Sequence, residues 1–368
     1  MGLSFIPHDT KIDFIGKRRI FYALSLLLLA AGLLSLAIKG PQYGIDFAGG
    51  TVVQVKFSEP VSDEDVKDAL SSTNLPGITG QIFGDPDEYL VRISDIDEGA
   101  AAFRARVLKA LTDKFPALEI EIVRVEGVGP KMGSDLRSSA ISALFYASLL
   151  ISIYVSGRFE QRWLMAGVMA GALIGVLYLL SGILEIDQMW LIPAALALSL
   201  ILCWKLRLIY ALAALIGLIH DVLITIGLLS LLNVEIDLIV IAGILTVIGY
   251  SLNDKIIVFD RIRENLHKEN RPGFMQIINT SVNQTLARTI LTSTTTVMVL
   301  LPLFFLGGVI LRDFSLTMLI GVVIGTYSSI FISSPILLAF GEPPSPEDDA
   351  EARRIEEMMK KSHDGAVV

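Results

Sequence analysis

Apolar stretches of membrane-spanning length recur along the chain, at about 20–38, 138–156, 164–184, 189–204, 208–232, 238–258, 286–306 and 314–340. A hydrocarbon core of about 30 Å needs roughly 20 apolar residues in a helix. Inside lipid every backbone polar group must find an internal partner, so such runs have to be helical. With 53% apolar residues, 18% charged residues and a mean hydropathy of +0.63, the chain is too hydrophobic for an ordinary soluble protein. It reads as a polytopic α-helical membrane protein.

Charge orients the crossings. Basic clusters at Lys17/Arg18/Arg19, Arg158/Arg162, Lys205/Arg207, Arg261/Arg263/Lys268/Arg271 and Arg353/Arg354 alternate with acid-leaning segments at 40–135, Glu185/Asp187, Glu235/Asp237 and Arg312/Asp313. The positive-inside rule then gives eight crossings, with both termini (1–19 and 341–368) cytoplasmic. Basic residues flank 163–204 on both sides, so that stretch needs an even number of passes and reads as a hairpin. The first run, 20–38, exceeds the apolar region of a secretory signal and is expected to stay as an anchor despite the small residues at Ser35-Leu36-Ala37. Trp163, Trp190 and Trp204 fall near predicted ends, as interface anchors do. A single cysteine, Cys203, excludes a disulfide framework and a thiolate metal site. The net charge of −8 leaves no broad basic surface for nucleic acid.

The segment 39–135 is soluble in character. "TVVQVKFS" alternates like a half-buried strand, and "SDEDVKDALSS" carries Ser62 with Asp65 three residues on, a helix-start signature. "GITGQIFG" and "EYLVRIS" read as a strand pair, "DEGAAAFRARVLKALTDKF" as an amphipathic helix and "LEIEIVRVEGV" as a last strand. The order βαββαβ is that of the ferredoxin-like unit. It lacks Cys, His and a glycine-rich phosphate loop, so it is expected to bind or to act as a lever. The tail "GEPPSPEDDAEARRIEEMMKK" suggests a solvated cytoplasmic helix.

Ionisable groups at membrane depth are costly and mark function by default. In "GYSLNDKIIVFDRIREN", Asp254 lies inside an apolar run, six residues or about 9 Å of helix before Asp260. Thr246, Tyr250 and Asn253/Asp254 share one helix face; the next crossing carries Thr285, Arg288/Thr289, Thr292 and Thr295/Thr296. The two helices run antiparallel, which puts Asp254 and Arg288 in the cytoplasmic half, able to pair. Such a pair serves either as a static device that fixes register or as part of an ion path. His220-Asp221, near the middle of 208–232, is open to the same two readings. Gly321, Gly325, Ser329 and Ser333, spaced by four, read as a close-packing face. Lys255 is expected to snorkel toward the cytoplasmic interface; reaching Asp254 instead would put it in competition with Arg288.

These stretches carry a resemblance. "YGIDFAGG", "VGPKMG", "RFEQR", "IHDVLIT", "GYSLNDKIIVFDRIREN", "SVNQTLARTILTSTTT", "FFLGG" and "GTYSSIFISSP" span about 43–335, and the chain resembles the SecF side of the SecD/SecF protein-export family. The resemblance implies half of a resistance-nodulation-division (RND) type bundle bearing one external ferredoxin-like α+β domain, with SecD supplying the other half. It implies a place in the bacterial inner membrane, with 39–135 periplasmic. Implied partners are SecD, the SecYEG channel driven by SecA, then YajC and YidC, the unfolded preprotein and membrane lipid. No cofactor is implied; the coupling ion is H⁺, with Na⁺ as the alternative. The family's proton-conducting aspartate and arginine fall on Asp254 and Arg288, with Asn253, Tyr250, Thr285, Thr292, His220 and Asp221 as secondary candidates. Two departures stand out: about 40 extra residues at 164–204, and Lys255 where threonine is expected. Other readings are half of a small-molecule or lipid exporter, and a passive scaffold of the translocase. An enzyme is not expected, since no nucleophile–base pair or metal cluster is evident.

Overall fold

The computed structural model describes residues 10–71, 78–83, 85–93, 100–160, 188–268 and 272–341, with scattered positions between 167 and 175. Helix α1 (Arg18–Lys39) ends at Gly40, whose φ of 71° is the left-handed conformation that glycine adopts freely and whose N–H closes on the Leu36 carbonyl. A short turn of helix, α2 (Ile45–Ala48), leads into the external domain.

That domain runs β1 (Gly50–Phe57), α3 (Asp63–Ser71), β2 (Thr79–Phe83), β3 (Asp85–Ile93), α4 (Ala100–Lys114) and β4 (Ile120–Val128). Its single sheet has the order β2-β3-β1-β4 with every neighbour antiparallel, the ferredoxin-like arrangement. One sheet face buries Val53, Val55, Phe57, Tyr89 and Val91 against Val66, Leu70, Phe103, Val107 and Leu111 of α3 and α4. The alternation in β1 predicts a solvent-facing second side, yet Val52 and Gln54 are also buried. The reason is tertiary. That second face, with Leu90, Arg92, Arg124 and Glu126, roofs a cleft of about 550 Å³ above the outer ends of the membrane helices.

The membrane domain comprises α5 (Pro130–Glu160), α6 (Gln188–Lys205), α7 (Ile209–Leu231), α8 (Leu238–Leu266), α9 (Phe274–Leu306), α10 (Gly308–Ser328), a π turn (Ser329–Ser333) and α11 (Ser334–Phe340). Among the described residues six helical segments are long and apolar enough to cross a membrane: Arg18–Lys39, Lys131–Arg158, Ile209–Leu231, Leu238–Leu266, Phe274–Leu306 and Leu311–Phe340. Of the two further crossings expected from the sequence, 164–184 lies largely outside the described residues, as does the tail from 342. The other, 189–204, is α6, whose apolar part Pro193–Lys205 is shorter than a full span.

Helix α7 is mostly apolar and buried for most of its length, His220 and Asp221 included, so it forms the centre of the bundle. Helix α1 packs on it through small residues. A Cβ on Gly32 would stand 2.8 Å from the Gly227 Cα, and Ser35 and Ser230 share a hydrogen bond of 2.9 Å.

The loop joining α7 to α8 is strapped to the base of the external domain. Ile236 donates its N–H to the Gln42 carbonyl (2.7 Å) and accepts from Gly44 (2.9 Å), a parallel bridge beside Tyr43. The Leu238 N–H donates to Asp46 Oδ2 (3.1 Å), and Arg92 of β3 is ion-paired with Glu235. Asp237 caps α8 by accepting the Val240 N–H at 2.7 Å. Burial, with Asp46 and Glu235 close by, pushes the Asp237 carboxyl above the usual range. A carboxyl with a raised folded-state value binds more protons folded than unfolded, so its contribution to stability grows as pH falls through that value. Asn caps a helix as well as Asp. Asp237→Asn is therefore expected to raise the melting temperature near pH 7, with the gain shrinking toward pH 4. A gain that grows on acidification would refute this electrostatic account.

Candidate functional site

Two polar clusters occupy the core of the bundle, side by side on α8 and both reaching α10. Successive residues of a helix point about 100° apart, so Asp254 and Lys255 enter different helix interfaces although they are neighbours in the chain. Both are fully buried.

Asp254 faces α10. Its Oδ2 accepts a long hydrogen bond from Thr326 Oγ1 at 3.4 Å, and its Oδ1 is buried with no partner among the described residues. Thr326 is in turn bonded to Ser293 Oγ of α9 at 2.6 Å. A ladder of hydroxyls thus leads from α9 through α10 to the carboxyl group. One turn before Asp254, Tyr250 accepts from Thr296 Oγ1 of α9 at 3.2 Å.

The direct Asp254–Arg288 pair expected from the sequence is not formed here. No ion pair joins the two among the described residues, and Arg288 is exposed on α9 while Asp254 is buried. Leu291, one turn along the same side of α9, is exposed as well. Facing antiparallel helices bring the two residues into one neighbourhood without closing an ion pair between them. Of the other residues singled out, Asn253 is exposed. Thr285 and Thr292 spend their hydroxyls on their own helix, Thr285 on the carbonyls of Ser281 and Val282 and Thr292 on those of Arg288 and Thr289.

Lys255 overturns the snorkelling expectation. Its stem runs inward past Gly217 of α7, where a Cβ would come within 2.5 Å of its Cε. Its ammonium donates to Asp221 Oδ2 (2.6 Å), to Ser251 Oγ and to Ser328 Oγ (2.9 Å). An ammonium has three donors and no acceptor, and all three are used. Ser251 and Ser328 pass their own protons to the same Asp221 oxygen, Ser328 at 2.8 Å. The other oxygen, Oδ1, takes His220 Nδ1 at 2.9 Å, while His220 Nε2 is buried without a partner. His220-Asp221 therefore belongs to an ionic knot binding α7, α8 and α10. Burying a charge costs several kcal/mol per ion, and only this degree of satisfaction makes such a pair tolerable. That is why Lys255 turns into the bundle and not toward the interface.

Thr326, Ser293, Ser251, Ser328 and the inward course of Lys255 were not singled out from the sequence. One signal was available: Ser251 and Lys255 stand four residues apart, on one face of α8. The small-residue stripe of α10 does pack closely, Gly321 against Val247 and Gly325 against Ser251. Ser328 carries the polar contact one step off that stripe. The π turn at Ser329–Ser333 follows at once; such turns are frequent at functional sites.

The chain matches the family model "Protein export membrane protein SecD/SecF, C-terminal" over residues 107–187 and 176–343, and the "SecD/SecF GG Motif" over 34–61. It is 38% identical over 356 residues to "Protein translocase subunit SecF" of Desulfurispirillum indicum, covering 95% of both chains. To the protein of that name from Magnetococcus marinus it is 40% identical over 332 residues, 89% of this chain and 92% of the other. To that of Escherichia coli O157:H7 it is 37% identical over 339 residues. Among solved structures it superposes on SecDF from Thermus thermophilus, described as a translocon-associated membrane protein, with a TM-score of 0.67 at 31% identity. That match covers 92% of this chain and 39% of SecDF. A second SecDF structure, in a super-membrane-facing form, gives a TM-score of 0.56 at 29% identity.

Proposed function

The chain belongs to the SecD/SecF family of protein-export membrane proteins, and from that premise we propose that it is the SecF subunit of a protein translocase, harnessing the proton motive force. A single observation carries the reading. A fully buried carboxyl in the bundle core, Asp254, keeps one oxygen without any partner among the described residues. Unmet buried acceptors are rare because they are costly, and a proton is the smallest ligand that satisfies one.

In the proposed cycle a proton from the outer side reaches Asp254 along hydroxyls such as Ser293 and Thr326. Release to the cytoplasm restores the carboxylate, and Arg288, exposed on α9, swings in to compensate it. Each charge crossing 100 mV supplies about 2.3 kcal/mol, and about 1.4 kcal/mol already changes a population ratio tenfold. Motion of α8 against α7 reaches the external domain through the loop strapped at Gln42, Gly44 and Glu235.

The partner that completes the bundle is a SecD chain, since this chain corresponds to 39% of a SecDF polypeptide. Its docking face includes the exposed apolar side of α9, with Leu291, Met298, Val299 and Phe305. The complex works beside SecYEG with SecA, in contact with YajC and YidC, in the bacterial inner membrane. Both termini are cytoplasmic, residues 39–135 are periplasmic, and the cycle draws preprotein outward.

The test is preprotein export into vesicles rebuilt with this chain, a SecD chain and the channel. An imposed proton gradient is expected to stimulate export, and a Na⁺ gradient of equal size is expected to leave it unchanged. Export indifferent to both gradients, or answering to Na⁺ alone, refutes the reading.

A further inference from the structure

Lys255 sits where a free cation could sit. Its nitrogen is surrounded by one carboxylate oxygen and two hydroxyl oxygens drawn from three helices. Hard monovalent and divalent cations are held by oxygen sets of this kind. A fourth oxygen is at hand: Ser333 Oγ is fully buried, has no hydrogen-bond partner among the described residues, and packs with the end of the Lys255 stem against Gly217. The α8–α10 contact at Ser251 does not need a lysine, since Gly325 already lets the two helices approach there, while Gly217 leaves room for the Lys255 stem and Ser333. What the site needs is one positive charge at the point where its oxygens converge.

We propose that the Lys255 ammonium is a tethered cation that fills a monovalent-cation site formed by Asp221, Ser251 and Ser328, with Ser333 beside it, and so bars Na⁺ from the membrane core of this protein. The tether is present at an effective concentration no free ion matches, so the site answers to neither Na⁺ nor K⁺. Removing the side chain frees the oxygens, the charge and the space together. Lys255 is then the residue that decides which ions this core binds. The inference concerns the ion of the proposed transport cycle but is read out by binding alone, so it stands or falls apart from the role of Asp254.

The experiment is thermal unfolding of the purified full chain in detergent, in NaCl against choline chloride of equal concentration. The wild-type midpoint is expected to be the same in both salts. Lys255→Ala is expected to melt low in choline and to recover by about 3 °C or more, saturably, as Na⁺ is added, since a ligand stabilises the state that binds it. The double variant Lys255→Ala/Asp221→Asn, which lacks the carboxylate, is expected to show no Na⁺ dependence. A wild type stabilised by Na⁺ overturns the proposal, as does a Lys255→Ala chain that folds without Na⁺ dependence. If Lys255→Ala folds in neither salt while the double variant folds, the oxygens accept only the tethered charge, and the proposal again fails.

Discussion

Asp254→Asn is expected to reduce gradient-stimulated export to the level seen with the gradient collapsed, while the variant still folds and still assembles with its SecD chain. The physical argument separates the two outcomes. Asn has nearly the shape of Asp and can accept the Thr326 hydroxyl, which at 3.4 Å is a weak contact to begin with. No ion pair to Asp254 is lost, since none is formed among the described residues. What disappears is the capacity to bind and release a proton, and with it the step at which the proposed cycle couples the gradient to the chain. The checking measurements are export into energised vesicles and co-purification of the partner, taken on one preparation. Retained stimulation would refute the relay; loss of both stimulation and assembly would mark Asp254 as a structural residue. Thr326→Val, which breaks the ladder but leaves the carboxyl, is expected to slow the stimulated rate without abolishing it.

Lys255→Met is expected to destabilise the chain by about 3–5 kcal/mol in Na⁺-free buffer, the usual cost of orphaning one partner of a buried ion pair. Methionine keeps most of the stem volume, so the loss reports charge and hydrogen bonding, not a cavity. Asp221 would be left fully buried with its counter-charge gone, and Ser251 and Ser328 would each lose an incoming donor. The paired variant Lys255→Met/Asp221→Asn is expected to recover most of the deficit, because neutral isosteres of a buried pair are often tolerated. Denaturant unfolding of the purified chain measures both. A double variant no more stable than the single one would show that the pair is not the source of the effect.

The two predictions concern adjacent residues with opposite surroundings, and this is where sequence reasoning reached its limit. Depth, measured from Asp260, and the polar face of α8 predict a buried Asp254 from the chain alone, and the structure buries it. The same reasoning assigned Arg288 as its counter-ion because the topology of antiparallel helices brings the two residues to one level. Level is not direction. The turn about the helix axis that buries Asp254 against Thr326 leaves Arg288 exposed on α9. Lys255 departs from the snorkelling expectation for a related reason. A lysine near a cytoplasmic end ordinarily snorkels, and only the gap at Gly217 together with three converging oxygens makes the inward course favourable.

The external domain was legible almost whole. Its βαββαβ order, with strand alternation and a helix-start signal at Ser62, matches the four-stranded sheet and its two helices. Its one surprise, the burial of Val52 and Gln54, depends on the membrane helices beneath the second sheet face. By itself the sequence determined the membrane class and the order of elements, because run length, periodicity and charge bias are one-dimensional quantities set by bilayer thickness and helix geometry. Only the tertiary structure decided which charge meets which, because partner choice turns on helix rotation and on ångström-scale space at glycines. Neither quantity is written along the chain.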